Sequence, residues 1–276
     1  MSETIPNNLQ TLALSLNSGV ARITLNRPDK LNALNDEMWR ELREAFTWAD
    51  RTAAVRVVIL GGNGRAFSTG IDLAMLAGLR ERIRHADLAR SQELLRALIL
   101  DLQDCVSSIE RCRKPVVAAI HGPCIGGAVD IVSACDMRYA SANAIFSVRE
   151  IDIGMAADVG TLQRLPRIIP DGIARELAYT GRNVLADEAK EFGLVNRVFD
   201  TPEQLLEGVA EVAATVAAKS PLAIRGVKEM LNYGRDHSVE DGLRYVATWN
   251  ASALLSEDMQ ESAAAMMQKR APSYRD

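Results

Sequence analysis

Two short, uninterrupted apolar runs, Val57-Val58-Ile59-Leu60 and Val116-Val117-Ala118-Ala119-Ile120, constrain the fold of this chain more than any other feature. A strand with water on one face alternates polar and apolar residues. These runs do not alternate, so both of their faces must be covered. Residues 56–60 end at Gly61-Gly62-Asn63-Gly64, and residues 115–120 lead into a second glycine cluster at 122–127. A long helical pattern separates the two. Short buried strands alternating with helices indicate α/β units with parallel pairing.

The flanking segments fit that frame. Residues 11–26 read as a hairpin: TLALSL alternates, Asn17-Ser18-Gly19 turns the chain and VARITL returns it. Asn35 or Asp36 caps a helix to about Ala49, with Met38, Leu42, Ala45 and Phe46 on one face. Residues 65–73 read as a loop. From 86 to 113 a stripe of Leu94, Leu95, Leu98, Leu102, Cys105 and Ile109 predicts a helix, stopped by Pro115. After Asp200 strand signals fade, and 202–218, 221–233, 239–251 and 257–269 are all helical by period. The expected organisation is a layered core over 1–200 followed by a helical region over 201–276. No internal repeat, low-complexity tract or heptad run interrupts it.

With 276 residues the chain can bury a sizeable core. A net charge of −4 argues against nucleic acid as a main partner, which calls for a basic face. No apolar run approaches the ~18 residues that span a bilayer. MSETIPNNLQ lacks the layout of a signal or transit peptide, and APSYRD is not a peroxisomal address. Cys105, Cys112, Cys124 and Cys135 lack C-x-x-C spacing, so reduced, buried thiols are expected rather than a metal site or disulfides. The expectation is a cytoplasmic protein without a membrane partner.

The stretch from His121 to Leu165 concentrates the chemistry. Its glycines run straight into an apolar helix, and glycine before a helix N-terminus allows a ligand close to unpaired amides. Three carboxylates, Asp130, Glu150 and Asp158, stand at chain reversals, where groups from different elements can converge. Amides beside acid/base groups point to chemistry on a carbonyl compound. The loop Ala66-Phe67-Ser68-Thr69-Gly70-Ile71-Asp72-Leu73, at the end of a strand, offers further free N–H groups. Plainer readings stand beside these. Asp72 and Asp158 read equally as helix caps, Asp130 as a favourable partner of its helix dipole, and His121 as a loop or core histidine. Neither G-x-G-x-x-G nor Walker A occurs, nor do G-x-S-x-G or H-E-x-x-H, and the three histidines have unrelated spacings.

IHGPCIGGAVDIVSACDMRYAS and SVREIDIGMAADVGTLQRLPR, with NRPDKLNAL, FSTGIDL, KSPLAIRGVK and SEDMQESAAAMMQKRAP, resemble the crotonase, or enoyl-CoA hydratase/isomerase, superfamily. The resemblance runs through nearly the whole chain in order. Within it, AADVGTLQRL, RDHSV and YVATWN are most similar to the isomerases that convert 3,5-dienoyl-CoA to 2,4-dienoyl-CoA. It implies an α/β spiral of ββα turns whose C-terminal helices drive assembly into a homotrimer or homohexamer. It also implies an acyl-CoA thioester substrate, with no cofactor beyond the coenzyme A carried by that substrate. The family's oxyanion hole falls on the backbone N–H groups of Ile71 and Gly127. Each such donor is typically worth ~3–4 kcal/mol to an enolate-like transition state. Substrate contacts are expected from Lys30, Leu31, Thr69, Gly70, Ile71, Asp72 and Leu73.

The family's hydratases hold water between two glutamates. Here Glu150 keeps the second position, Asp130 shortens the first, and Asp158 stands where hydratases usually carry glycine. A third acid near two others is opposed by like charge. Its simplest use is to handle a proton, so Glu150 and Asp158 are expected as an acid/base pair with Asp130 orienting or tuning them. The competing expectations are a 2-enoyl-CoA hydratase and a non-catalytic, RNA-binding member of the fold.

Overall fold

A computed structural model describes residues 4–276. The hairpin forms as β1 (Leu12–Asn17) and β2 (Val20–Leu25), with Ser18 and Gly19 at φ 49° and 80° making the tight turn. Helix α1 (Asp36–Arg51) starts where the Asn35 side chain accepts the Met38 N–H at 3.1 Å, and it turns Met38, Leu42, Ala45 and Phe46 inward as expected. Strand β3 (Val57–Gly62) continues past Leu60, because Gly61 and Gly62 pair with Thr24 and Leu25 of β2. Two short helices, α2 (Leu73–Ala77) and α3 (Leu79–Arg82), precede the long α4 (Leu88–Arg111), which Asp87 caps.

Strand β4 (Val116–Ile120) then enters the glycine cluster, which is more than a turn. Gly122 and Gly126, at φ 56° and 55°, bracket a three-residue strand, β5 (Pro123–Ile125). Helix α5 (Gly127–Ser133) follows, then β6 (Met137–Ser141) and β7 (Ile145–Ser147), the parallel partner of β5. A run of three is too short to stand out from a glycine-rich turn until its partner is known. The next helix is brief: α6 (Thr161–Arg164) gives way to a single 3-10 turn at Pro166, and α7 (Asp171–Thr180) begins after Pro170. Strand β8 (Val184–Leu185), helix α8 (Ala186–Glu191) and strand β9 (Arg197–Phe199) complete the strands.

The large sheet runs β1-β2-β3-β4-β6-β9, parallel throughout after the first hairpin. A smaller one runs β5-β7-β8 and is extended by a bridge from Ser68 to Cys124. Each turn of the chain contributes a strand to the large sheet, a short segment to the small one and then a helix. This is the spiral of ββα turns that the resemblance implies.

Burial explains the two apolar runs. Val58, Leu60, Val116, Ala118 and Ile120 face the main core with α1, the second half of α4, and α5. Val57, Ile59, Val117 and Ala119 face Leu205, Val209 and Ala213 of α9 (Pro202–Ala217). The first helix after residue 200 is thus the outer layer of the sheet. Helices α10 (Pro221–Tyr233), α11 (Val239–Ala253) and α12 (Glu257–Met267) lie beyond it and leave Leu231, Val239, Leu243, Leu255, Met266 and Met267 exposed. All four cysteines are buried and unbonded to one another. Among the described residues no helix is long and apolar enough to cross a membrane.

Candidate active site

Two loops are stitched into one wall. Asn32, fully buried at φ 54°, accepts the Arg27 N–H at 2.8 Å and donates its amide to the carbonyls of Asn63 and Ala66, both at 2.9 Å. The Asn32 carbonyl accepts Ser68 Oγ at 2.7 Å, and the Leu31 carbonyl accepts the Thr69 N–H at 3.1 Å. Leu34 donates its N–H to the Gly70 carbonyl (2.8 Å) and accepts the Asp72 N–H (3.0 Å). In this parallel bridge the bonds straddle Ile71, so its own N–H points away from Leu34. Among the described residues it donates to no protein acceptor.

The wall meets the start of α5 at Gly70. This residue sits at φ 81°, and a Cβ on it would lie 2.6 Å from the Ile125 carbonyl oxygen and 3.2 Å from the Gly127 nitrogen. Glycine is therefore what permits the approach. Gly127 is the first residue of α5, and its N–H is one of the donors a helix leaves without an internal partner. Two unpaired amides, from Ile71 and Gly127, thus stand on adjoining segments.

The carboxylates gather beside them. Glu150 opens the 3-10 turn Glu150–Ile153 and points back at the α5 junction: its Oε1 is 3.3 Å from where a Cβ on Gly126 would stand. Asp130, fully buried on α5, accepts the Thr161 N–H through Oδ1 at 2.5 Å. Oδ2 of Asp130 and Oε2 of Glu150 are buried without a hydrogen-bond partner among the described residues. Burial, and then the charge of Glu150, pushes the Asp130 carboxyl up to about 7. Burial raises Glu150 as well, with the charge of Asp158 adding to it, and burial raises Asp158. Burial and a neighbouring acid's charge thus push the Asp130 and Glu150 carboxyls toward their neutral form, and burial alone does so for Asp158. An acid/base cluster needs a carboxyl held in that form to deliver a proton.

The plainer readings divide. Asp72 does cap α2, accepting the Ala74 N–H at 3.0 Å, and it pairs with Arg27 at 2.9 Å. A substrate contact by that carboxylate would compete with both. Asp158 does not cap α6: Gly160 holds the cap position, and the first amide of the helix goes to Asp130. His121 is a loop histidine, its Nε2 2.9 Å from the Gly64 carbonyl oxygen. Lys30 and Leu73 are exposed beside the stitched loops, whereas Thr69 and Ile71 are half-buried within them. Three positioning residues lie beyond those expected from the sequence: Asn32, which secures the first loop, Thr161, which holds Asp130, and Gln103 of α4, which donates to the Asp158 carbonyl at 2.7 Å. Gln103, Ser107 and Glu110 form a polar stripe at helical spacing, and that was the available signal. Among the described residues no group of three or more His, Cys, Asp or Glu side chains could hold a metal ion.

Residues 15–276 match the family model described as enoyl-CoA hydratase/isomerase. The chain is 45% identical over 267 residues to the peroxisomal Delta(3,5)-Delta(2,4)-dienoyl-CoA isomerase of Arabidopsis thaliana, covering 96% of each. It is 46% identical over 252 residues to the mitochondrial protein of that name from Homo sapiens, covering 91% of this chain and 77% of the other. The compartments named for these relatives do not match the cytoplasmic expectation. A solved structure titled enoyl-CoA hydratase from Bacillus anthracis superposes with a TM-score of 0.88 at 32% identity, covering 96% of this chain and 99% of that one.

Proposed function

This chain belongs to the enoyl-CoA hydratase/isomerase family, and we propose that it shifts the double bonds of a 3,5-dienoyl-CoA to the 2,4 positions. The observation that carries this reading is the third acid: Asp158, coupled by charge to Glu150, on a loop that leaves its carboxylate out of any helix cap. The thioester oxygen accepts from the N–H groups of Ile71 and Gly127, and the proton on C2 becomes acidic as the enolate forms. One carboxylate takes that proton while a second, protonated one delivers another to C6. The two carbons are four bonds apart, which favours two groups over one. Glu150 and Asp158 are the pair. Asp130, held by Thr161 and with its carboxyl raised to about 7, orients or tunes them.

Lys30, Leu31 and the segment from Thr69 to Leu73 line the approach of the coenzyme A moiety, and no cofactor is needed beyond it. Assembly is by the C-terminal helices, as a homotrimer or homohexamer; the exposed Leu231, Leu243 and Leu255 support this. The similarity to a solved enoyl-CoA hydratase keeps hydration of a 2-enoyl-CoA as the second reading.

One preparation assayed on both thioesters separates the two. Isomerisation gains the absorbance of a diene conjugated with the thioester, whereas hydration loses the enone band. Faster turnover of the 3,5-dienoyl-CoA is expected. Efficient hydration without diene formation would transfer the protein to the second reading, and salt-sensitive RNA binding without turnover of either would point to a non-catalytic role.

A further inference from the structure

The loop that carries Asp158 is weakly held by its own backbone. Between Met155, whose N–H returns to the Glu150 carbonyl, and Gly160, whose carbonyl starts α6, residues 156–159 make no backbone–backbone hydrogen bond among the described residues. Ala157 and Val159 are buried, which fixes the depth of the loop. Burial of small side chains alone does not fix the rotation of the peptide between them.

Helix α4 supplies that constraint from one face. Gln103, Ser107 and Glu110 stand at i, i+4 and i+7, so they point the same way. Gln103 Nε2 donates to the Asp158 carbonyl at 2.7 Å. Just downstream, Gly160 sits at φ 137°, where a side chain would collide with the Arg164 guanidinium folded back over it. Ser107 Oγ receives Arg164 Nη2 at 3.2 Å, and Glu110 Oε2 receives it at 2.9 Å. Glu110 also accepts from Arg235, beyond α10. The acid-bearing loop is thus pinned at Asp158 by Gln103 and immediately after it by the Arg164–Glu110 pair.

We infer that Gln103 is a positioning residue for the reaction, acting through Asp158: its amide fixes the peptide from which the Asp158 side chain departs and so sets the aim of that carboxylate. The inference rests on the acid/base reading above. Gln103 makes no hydrogen bond to Ile71, Gly127 or Glu150 among the described residues, so its loss misaims one proton transfer while leaving thioester binding intact. A misplacement on the order of 1 Å in such a group costs up to about a hundredfold in rate.

The test is a double-mutant cycle on the full chain with a 3,5-dienoyl-CoA. Gln103→Met keeps the side-chain length and removes the donor; Gln103→Glu is the alternative should the methionine variant fold poorly. The expected result is a kcat lowered about tenfold with KM within about twofold. The limb of the kcat pH profile that disappears in Asp158→Asn should also move. In the Asp158→Asn background the same substitution should add almost nothing, since residues acting as a unit are not additive. A wild-type kcat, or an equal loss in both backgrounds with an unmoved pH profile, would overturn the inference and leave Gln103 a packing residue. Absence of turnover by the unsubstituted protein would remove the acid/base reading, and the inference with it.

Discussion

Glu150→Gln and Asp158→Asn each lower kcat for a 3,5-dienoyl-CoA by about 10²- to 10⁴-fold, the range contributed by a positioned acid or base. Neither exchange changes the shape of its side chain, and KM for the thioester stays close to that of the unsubstituted protein. Both carboxyls are already pushed toward their neutral form by burial, so a neutral amide suits each site without loss of folding stability. Thermal unfolding midpoints at or above the unsubstituted value, together with the loss of kcat, are the expected pair of results. Near-wild-type turnover in both variants would remove the proposed mechanism.

Gly70→Ala is the second large effect. At φ 81° an alanine meets left-handed strain of about 1–2 kcal/mol, and its Cβ stands 2.6 Å from the Ile125 carbonyl oxygen. The stitched loop must withdraw from the α5 junction, which carries the Ile71 N–H away from that of Gly127. Loss of one oxyanion donor lowers kcat by about 10²–10³-fold. The rest of the loop is secured by Asn32, Ser68 and Arg27, so the chain still folds, with a modestly lower unfolding midpoint. Steady-state kinetics beside a thermal melt tests this. A variant with full activity would show that the two amides need not converge.

The sheet was legible wherever its strands were long enough to declare two buried faces. Val57 to Leu60 and Val116 to Ile120 do so without ambiguity, and the helix on the outer face is α9. Strand β5 was not legible: its three residues gain their identity only from β7, some twenty positions on. Gly61 and Gly62 look like a stop, yet their backbones pair with β2 as any residue's would.

The acids show the same divide. Asp72 and Asp158 both stand shortly before a helix, and local rules treat them alike. Only Asp72 caps, because the first amide of α6 is taken by Asp130 from 31 residues away. That one long-range hydrogen bond leaves the Asp158 side chain out of the helix cap. No spacing rule contains it; the expectation of an acid/base role at Asp158 came from the crotonase resemblance.

Isomerisation run in D2O tests most directly whether two separate carboxylates serve the two ends of the diene. One deuterium at C6 of the 2,4-dienoyl-CoA is expected in the first turnover, because the acid that delivers to C6 drew its proton from solvent and not from C2. Transfer of the C2 hydrogen itself to C6, with no deuterium gained, would mean that a single group carries the proton along the chain and would contradict it.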